Sequence, residues 1–70
     1  MNKAKNKKLV KPTVTLSGTD GNAYAIMGKV GRELRRAGYT EEQRNQYIEE
    51  ATAGDYNNLI QVTMKWVNVE

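Results

Sequence analysis

Apolar residues recur at three- and four-residue spacings through the middle of the chain, a period typical of α-helices. The first predicted helix runs from about residue 22 to residue 37. Gly38 follows it and can adopt the left-handed conformation that ends a helix, with Tyr39 folding back onto Leu34 in a Schellman arrangement. The apolar stripe of this helix consists of Ala23, Ile26, Met27, Val30, Leu34 and Ala37.

Two further helices are predicted. Residues 40–43 have the capping-box pattern, which begins a second helix of about residues 41–53. Gly54 ends that helix, and Asp55 is placed to cap a third one over residues 56–66. We expect the second helix to turn inward Tyr47, Ile48 and Ala51. The main stripe of the third consists of Tyr56, Leu59, Ile60, Thr63, Met64 and Val67.

Val62 and Trp66 lie beside that stripe and widen it, so the third helix is either central in the fold or meets a partner with its extra face. Residues 60–66 also alternate as a strand would, although the Asp55 cap and the three-four spacing favour a helix. Residues 67–70 are expected to form a short strand beside residues 13–16, which alternate after Pro12. The predicted fold class is α+β: a short N-terminal strand, three helices and a closing strand.

The 70-residue chain has two parts of different charge. Residues 1–11 are predicted to be a disordered tail, and residues 12–70 a single small domain. The whole chain carries +3, but from residue 12 onward there are 6 basic and 8 acidic side chains, a net charge of −2. The tail is either a solubilising segment or a nucleic-acid arm that contacts phosphates through Lys3, Lys5, Lys7, Lys8 and Lys11.

The absence of Cys and His excludes disulfides, thiolate nucleophiles, His general bases and the usual zinc sites. No window approaches the ~20 apolar residues of a membrane span, so we expect a cytoplasmic protein. Without the usual metal ligands, we expect no metal, and no motif indicates a cofactor. A chain this short has a thin core, so we expect a homo-oligomer as readily as a monomer. Ser17 has no activating partner, and Asp20 is the single acid near it. Enzyme activity is therefore not expected.

The Gly-rich turn between the first strand and the first helix is the candidate ligand site. One interpretation is structural: Gly18 and Gly21 permit positive φ, and Thr19 or Asp20 caps the helix. The other is functional, because free N–H groups at a helix N-terminus attract anions. The turn lacks the lysine of a phosphate-binding loop and the glycine spacing of a dinucleotide site. Its candidate residues are Ser17, Gly18, Thr19, Asp20, Gly21 and Asn22.

The first helix adds two features that could serve a ligand or a partner. Lys29, Arg32 and Arg36 form a basic ridge, with Arg35 adjacent, which either holds phosphates or is a solvated face. Gly28 and Gly31 each cost roughly 1 kcal/mol inside a helix relative to Ala. Such a pair indicates close packing against the third helix or a second subunit, or the approach of a ligand. The five aromatic residues are expected in the core.

Four segments resemble a group of small hypothetical proteins encoded by phages and bacterial mobile elements. They are Leu16–Gly28, Arg36–Gly38, Ala51–Tyr56 and Trp66–Glu70. The resemblance covers about residues 13–70 and implies a small accessory protein. It transfers no catalytic residue. Proteins of that kind include inhibitors of host defence, nucleotide-signal sponges and accessories of DNA metabolism.

We therefore expect a non-enzymatic binding protein, for example a host-defence antagonist. It would hold a nucleotide or an acidic protein surface at the turn, with charge from Lys29, Arg32 and Arg36. The alternatives are nucleic-acid binding through the lysine-rich arm, and protein inhibition through the third helix. The residues expected at an interface are Gly28, Gly31, Val62 and Trp66.

Overall fold

The computed structural model describes residues 10–18 and 20–70. Its elements are β1 (Thr13–Val14), α1 (Ala23–Arg36), α2 (Glu41–Ala51), α3 (Tyr56–Trp66) and β2 (Asn68–Val69). The predicted α+β class is confirmed, and residues 60–69 divide into the end of a helix and a short strand. The predicted disordered tail covers residues 1–11, of which residues 1–9 lie outside the described residues. Lys11 is described, and its Nζ donates to Met64 O of α3 at 3.3 Å.

The two strands join the ends of the domain in a parallel pair, with Thr13 opposite Asn68 and Val14 opposite Val69. The Asn68 N–H donates to Pro12 O at 2.9 Å. Proline has no backbone N–H, so it joins the ladder through its carbonyl group. The ladder continues past the strands through Leu16 N–H and Glu70 O, 3.0 Å apart. Because the three helices lie between β1 and β2 in the chain, this pairing closes the fold around them.

The core forms where the stripes of all three helices meet β1. Its buried apolar members are Val14, Ile26, Met27, Val30, Leu34, Tyr47, Ala51, Leu59, Val62 and Val67. Val62 belongs to this core, and Trp66 packs against it. Val62 is therefore buried and not part of an exposed face, in line with the alternative that the third helix is central in the fold. Trp66 is partly buried at the edge of the core, and its contact with a partner stays a prediction.

Local signals set most helix ends as predicted. Thr40 and Gln43 exchange both capping-box hydrogen bonds, and Asp55 Oδ1 accepts the Asn58 N–H at 2.9 Å. Gly38 has φ +99° and lets the Tyr39 N–H reach Leu34 O at 3.0 Å, which is the Schellman bond.

The second helix ends at Ala51 rather than residue 53, because side chains bind its last carbonyl groups. Thr52 Oγ1 donates to Ile48 O at 2.8 Å, and Asn58 Nδ2 donates to Glu50 O at 2.9 Å. A Cβ on Gly54 would lie 2.8 Å from that of Asn58, so only glycine lets α3 approach this closely.

Several side chains expected in the core are exposed. Ile48, Tyr56 and Met64 are each at least a third exposed, and Tyr24 is 84% exposed. In helices of 11 residues the buried stripe is narrow, and residues at its margin face water once neighbouring helices have packed on one side. The expectation that all five aromatic residues lie in the core is wrong for Tyr24 and Tyr56.

Candidate functional site

The turn at residues 17–22 acts first as a cap for α1. Asn22 is the N-cap, and its Oδ1 accepts the Ala25 N–H at 2.8 Å. Asp20 Oδ1 accepts the Asn22 N–H at 3.2 Å. The prediction that Asp20 caps the helix directly is therefore wrong, and Thr19, the other predicted cap, lies outside the described residues.

The glycines of this turn have different roles. Gly18 has φ +81°, a conformation that side chains other than glycine rarely adopt. Gly21 does not have positive φ, contrary to expectation, and its carbonyl oxygen accepts the Tyr56 hydroxyl at 2.6 Å. The turn is thus tied to the start of α3 by a hydrogen bond between groups 35 residues apart.

The electrostatics of the turn do not favour an anion. Among the described residues, the cap and Asp20 already occupy the N–H groups of Ala25 and Asn22. The carboxylate of Asp20 itself lies in the turn. The charges assigned to the same ligand lie farther along α1: at ~1.5 Å per residue, Arg32 is about 15 Å and Arg36 about 21 Å from Asn22 along the axis. The fold therefore does not gather the predicted ligand residues into one site.

The predicted basic ridge also divides. Arg36 pairs with Glu33 at 3.5 Å on the surface. Lys29 is half-buried and already has an interaction within the structure. Arg32 and Arg35 are exposed, and within residues 10–18 and 20–70 neither guanidinium group lies within 4 Å of a carboxylate.

The two glycines of α1 face open space. A Cβ added to Gly28 or Gly31 would meet no atom within 4 Å. The expectation that they pack closely against the third helix is wrong, because no atom of α3 lies within 4 Å of either added Cβ. Their positions, four and seven residues after Tyr24, place them on the same side of the helix as Tyr24, beside the core-facing stripe, with Gly28 exposed and Gly31 half-buried. We call this surface the outer face of α1: Tyr24, Gly28, Gly31, Arg32 and Arg35.

A cavity of about 270 Å³ opens beside the start of α1. The beginnings of α1 and α3 and the end of α2 meet there. Asp55 is its one charged lining residue, and Tyr24 is shared with the outer face of α1. The lining consists of Ala23, Tyr24, Met27, Ala51, Thr52, Gly54, Asp55, Tyr56 and Leu59.

The exposed side of α2 is acidic and contrasts with α1. A shallow depression there is lined by Glu42, Asn45, Gln46, Glu49 and Glu50. Glu50 Oε1 accepts the Trp66 indole N–H at 3.0 Å, and Glu50 Oε2 accepts from Gln46 at 3.2 Å. These two hydrogen bonds, that of Trp66 first, lower the pKa of Glu50 below its ordinary value of 4.5.

The described residues hold no cluster of three acidic side chains that could bind a metal ion. None of their helices is long and apolar enough to cross a bilayer. Sequence reasoning missed Tyr24 and Tyr56 as surface residues, and it did not single out Asp55 as a lining residue of the cavity. For Tyr24 a signal existed, since it lies off the apolar stripe that includes Ala23, Ile26 and Val30.

Comparison with known proteins identifies no relative. No protein-family model matches the chain, and no significant match is found among curated proteins or solved structures.

Proposed function

We propose that this chain is a small non-enzymatic binding protein that docks an acidic surface of a partner protein on the outer face of α1. The observation that carries the proposal is the open space in front of Gly28 and Gly31. Each glycine costs the helix about 1 kcal/mol relative to Ala, and no neighbour in the described fold uses the room they leave. A partner backbone at this surface would use it.

The flanks of the two glycines support an acidic partner. Tyr24 lies before them, 84% exposed, and offers a large aromatic surface of the kind enriched at interfaces. Arg32 and Arg35 follow the two glycines along α1. In the described fold, no carboxylate lies within 4 Å of either guanidinium group. Guanidinium groups bind carboxylates in a planar, two-bond geometry. The anionic partner expected from the sequence is therefore assigned to this face rather than to the turn.

A protein is favoured over a nucleic acid because of the charge of the rest of the domain. Residues 12–70 carry a net charge of −2, and α2 presents an acidic side. Both would repel a long polyanion that extends beyond the outer face of α1, whereas an acidic patch on a protein can be confined to that face. The resemblance to phage and mobile-element proteins implies that the partner is a host protein, as for a host-defence antagonist. In the alternative nucleic-acid arm, the lysines at positions 3, 5, 7 and 8 lie outside the described residues, whereas Lys11 is described and donates through Nζ to Met64 O at 3.3 Å.

The experiment is affinity capture from bacterial lysate with the full chain and with the double variant Arg32→Glu/Arg35→Glu. A partner with an acidic surface should be retained by the unchanged chain and lost by the double variant. The matched control is Lys65→Glu, which reverses an exposed charge on α3 and should retain the partner. Loss of more than about tenfold in the captured amount is expected, since two charged hydrogen-bonded contacts contribute roughly 1.5–3 kcal/mol each.

Three results would contradict the proposal. Capture that is equal for the chain and the double variant would exclude the outer face. Capture that disappears on nuclease treatment would assign a nucleic acid instead. Capture of the chain's own second copy alone would make the face a homo-oligomer contact, as the short chain allows.

A further inference from the structure

The cavity beside the start of α1 shares Tyr24 with the outer face of α1, and its other lining residues are not used by the proposed docking. Its floor is apolar: Met27, Ala51 and Leu59 are all less than a tenth exposed. Two tyrosine rings, those of Tyr24 and Tyr56, form part of its lining. A carboxylate, Asp55, completes it. Apolar walls with aromatic rings and one negative charge are the features that proteins use to bind organic cations.

Asp55 retains binding capacity after its structural task. One carboxylate oxygen, Oδ1, caps α3 by accepting the Asn58 N–H at 2.9 Å. No described residue donates a hydrogen bond to the other oxygen, Oδ2, which leaves it available to a ligand. Asp55 is exposed, so its charge reaches the mouth of the cavity.

The wider charge balance also favours a cation. Asp20 adjoins Gly21, whose carbonyl oxygen holds the Tyr56 hydroxyl at 2.6 Å. Opposing these two carboxylates are the N-termini of α1 and α3, each worth roughly +0.5 of a charge, whereas the C-terminus of α2 adds roughly −0.5. Asp55 and these three helix ends together sum to about −0.5, and Asp20, which is not a lining residue, adds negative charge from farther away. An anion would therefore be repelled here even though two helices begin at the cavity.

We propose that this cavity binds an organic cation, that is, a positively charged nitrogen with aliphatic groups attached. Its volume of about 270 Å³ lies just below the roughly 300–1,000 Å³ of drug-sized sites. This suits one trimethylammonium group or one lysine side chain, and it is small for a nucleotide. Such a cation would place its aliphatic part on Met27 and Leu59 and its charge between the tyrosines and Asp55. The proposal does not depend on what docks on the outer face of α1.

The test is an NMR titration of the full chain that follows the methyl signals of Met27 and Leu59. The first pair of probes is choline and its uncharged carbon isostere, 3,3-dimethylbutan-1-ol. The second pair is N-acetyl-lysine methylamide and N-acetyl-norleucine methylamide. Within each pair the charged probe should bind more tightly. A tighter choline would assign a free quaternary amine as the source of the cation, and a tighter lysine derivative would assign a polypeptide side chain.

Two variants keep the fold and change the site. Asp55→Asn preserves the helix cap, because Asn and Asp cap equally well, and should weaken binding of the charged probe about threefold or more. Tyr24→Leu removes an exposed ring while keeping an apolar side chain, and should weaken it about two- to fivefold. Neither variant should change binding of the uncharged probe.

The proposal is overturned if each uncharged probe binds as well as its charged counterpart, since the cavity would then be an apolar hollow only. It is overturned equally if no probe shifts the two methyl signals, or if Asp55→Asn binds the charged probes as well as the unchanged chain does.

Discussion

Two regions of the molecule differ in how their residues are packed. One is the contact between α2 and α3, and the other is the outer face of α1. Between α2 and α3 the polar groups of the large side chains have partners: Tyr47 Oη lies 2.7 Å from Thr63 Oγ1, and the Trp66 indole donates to Glu50 at 3.0 Å. On the outer face, Gly28 and Gly31 leave space unfilled, and Tyr24 is 84% exposed. The first region is explained by stability. The second contains residues that stability does not explain, and this is why we propose that the partner docks there.

Removing the hydroxyl of Tyr47 should lower the unfolding free energy more than removing any other single hydroxyl among the described residues. Tyr47 and Thr63 are both fully buried, and burial raises the pKa of the Tyr47 phenol above its ordinary 10.0. Tyr47→Phe would leave the Thr63 hydroxyl buried without its partner, which costs about 1–3 kcal/mol of unfolding free energy. Tyr56→Phe removes an exposed hydrogen bond and should cost at most about 1 kcal/mol. Urea denaturation measures both.

Adding Thr63→Val to Tyr47→Phe sharpens this prediction. Because the second change removes the orphaned hydroxyl, the double variant should be less destabilised than the sum of the two single variants. Additive losses, or a loss for Tyr47→Phe no larger than for Tyr56→Phe, would show that the hydrogen bond does not support the α2–α3 contact.

The cap of α1 should show an intermediate effect. Asn22→Ala removes the acceptor of the Ala25 N–H and should lower the unfolding free energy by about 1 kcal/mol. Asp20→Ala removes only an exposed acceptor outside the helix and should cost less. Urea denaturation of both variants measures the two losses of unfolding free energy. A larger loss for Asp20→Ala than for Asn22→Ala would show that Asp20 is the main cap.

The smallest effect is the pH dependence contributed by Glu50. Because the hydrogen bonds of Trp66 and Gln46 lower its pKa in the fold, the folded state binds a proton less readily than the unfolded state does. Its contribution to stability is therefore present above the unfolded pKa of about 4.5 and is lost as pH falls through the lower, folded pKa. Thermal unfolding from pH 6 to pH 3 should show a shallower fall for Glu50→Gln. An identical slope in both proteins would contradict this.

The sequence predicted the elements well because their signals are local. The period of the apolar residues defined three helices, and Gly38, the Thr40 box and Asp55 marked their ends. The cap at Asn22 was missed because several residues that can cap a helix stand together in that turn, and only the backbone shows which one accepts the Ala25 N–H. The early end of α2 depends on Asn58, which lies eight residues beyond Glu50.

Surface features were predicted less well because they depend on where the other elements pack. The spacing of Gly28 and Gly31 indicated a close approach, but their side of α1 became clear only with α3 in place. Val62 and Trp66 widened the stripe of α3, and the sequence could not decide between a central helix and an exposed face. The cavity joins the start of α1, the end of α2 and the start of α3, and no pattern within one segment predicts such a junction.

We propose that the glycines and arginines on the outer face of α1 serve binding and not stability. Gly28→Ala with Gly31→Ala tests it most directly, with the unfolding free energy and the amount of captured partner measured on the same protein. A Cβ at either position would enter open space, so each change should stabilise the domain by about 1 kcal/mol. The more stable variant should capture the partner severalfold less well than the unchanged chain. A variant that is more stable and captures the partner equally well would contradict it.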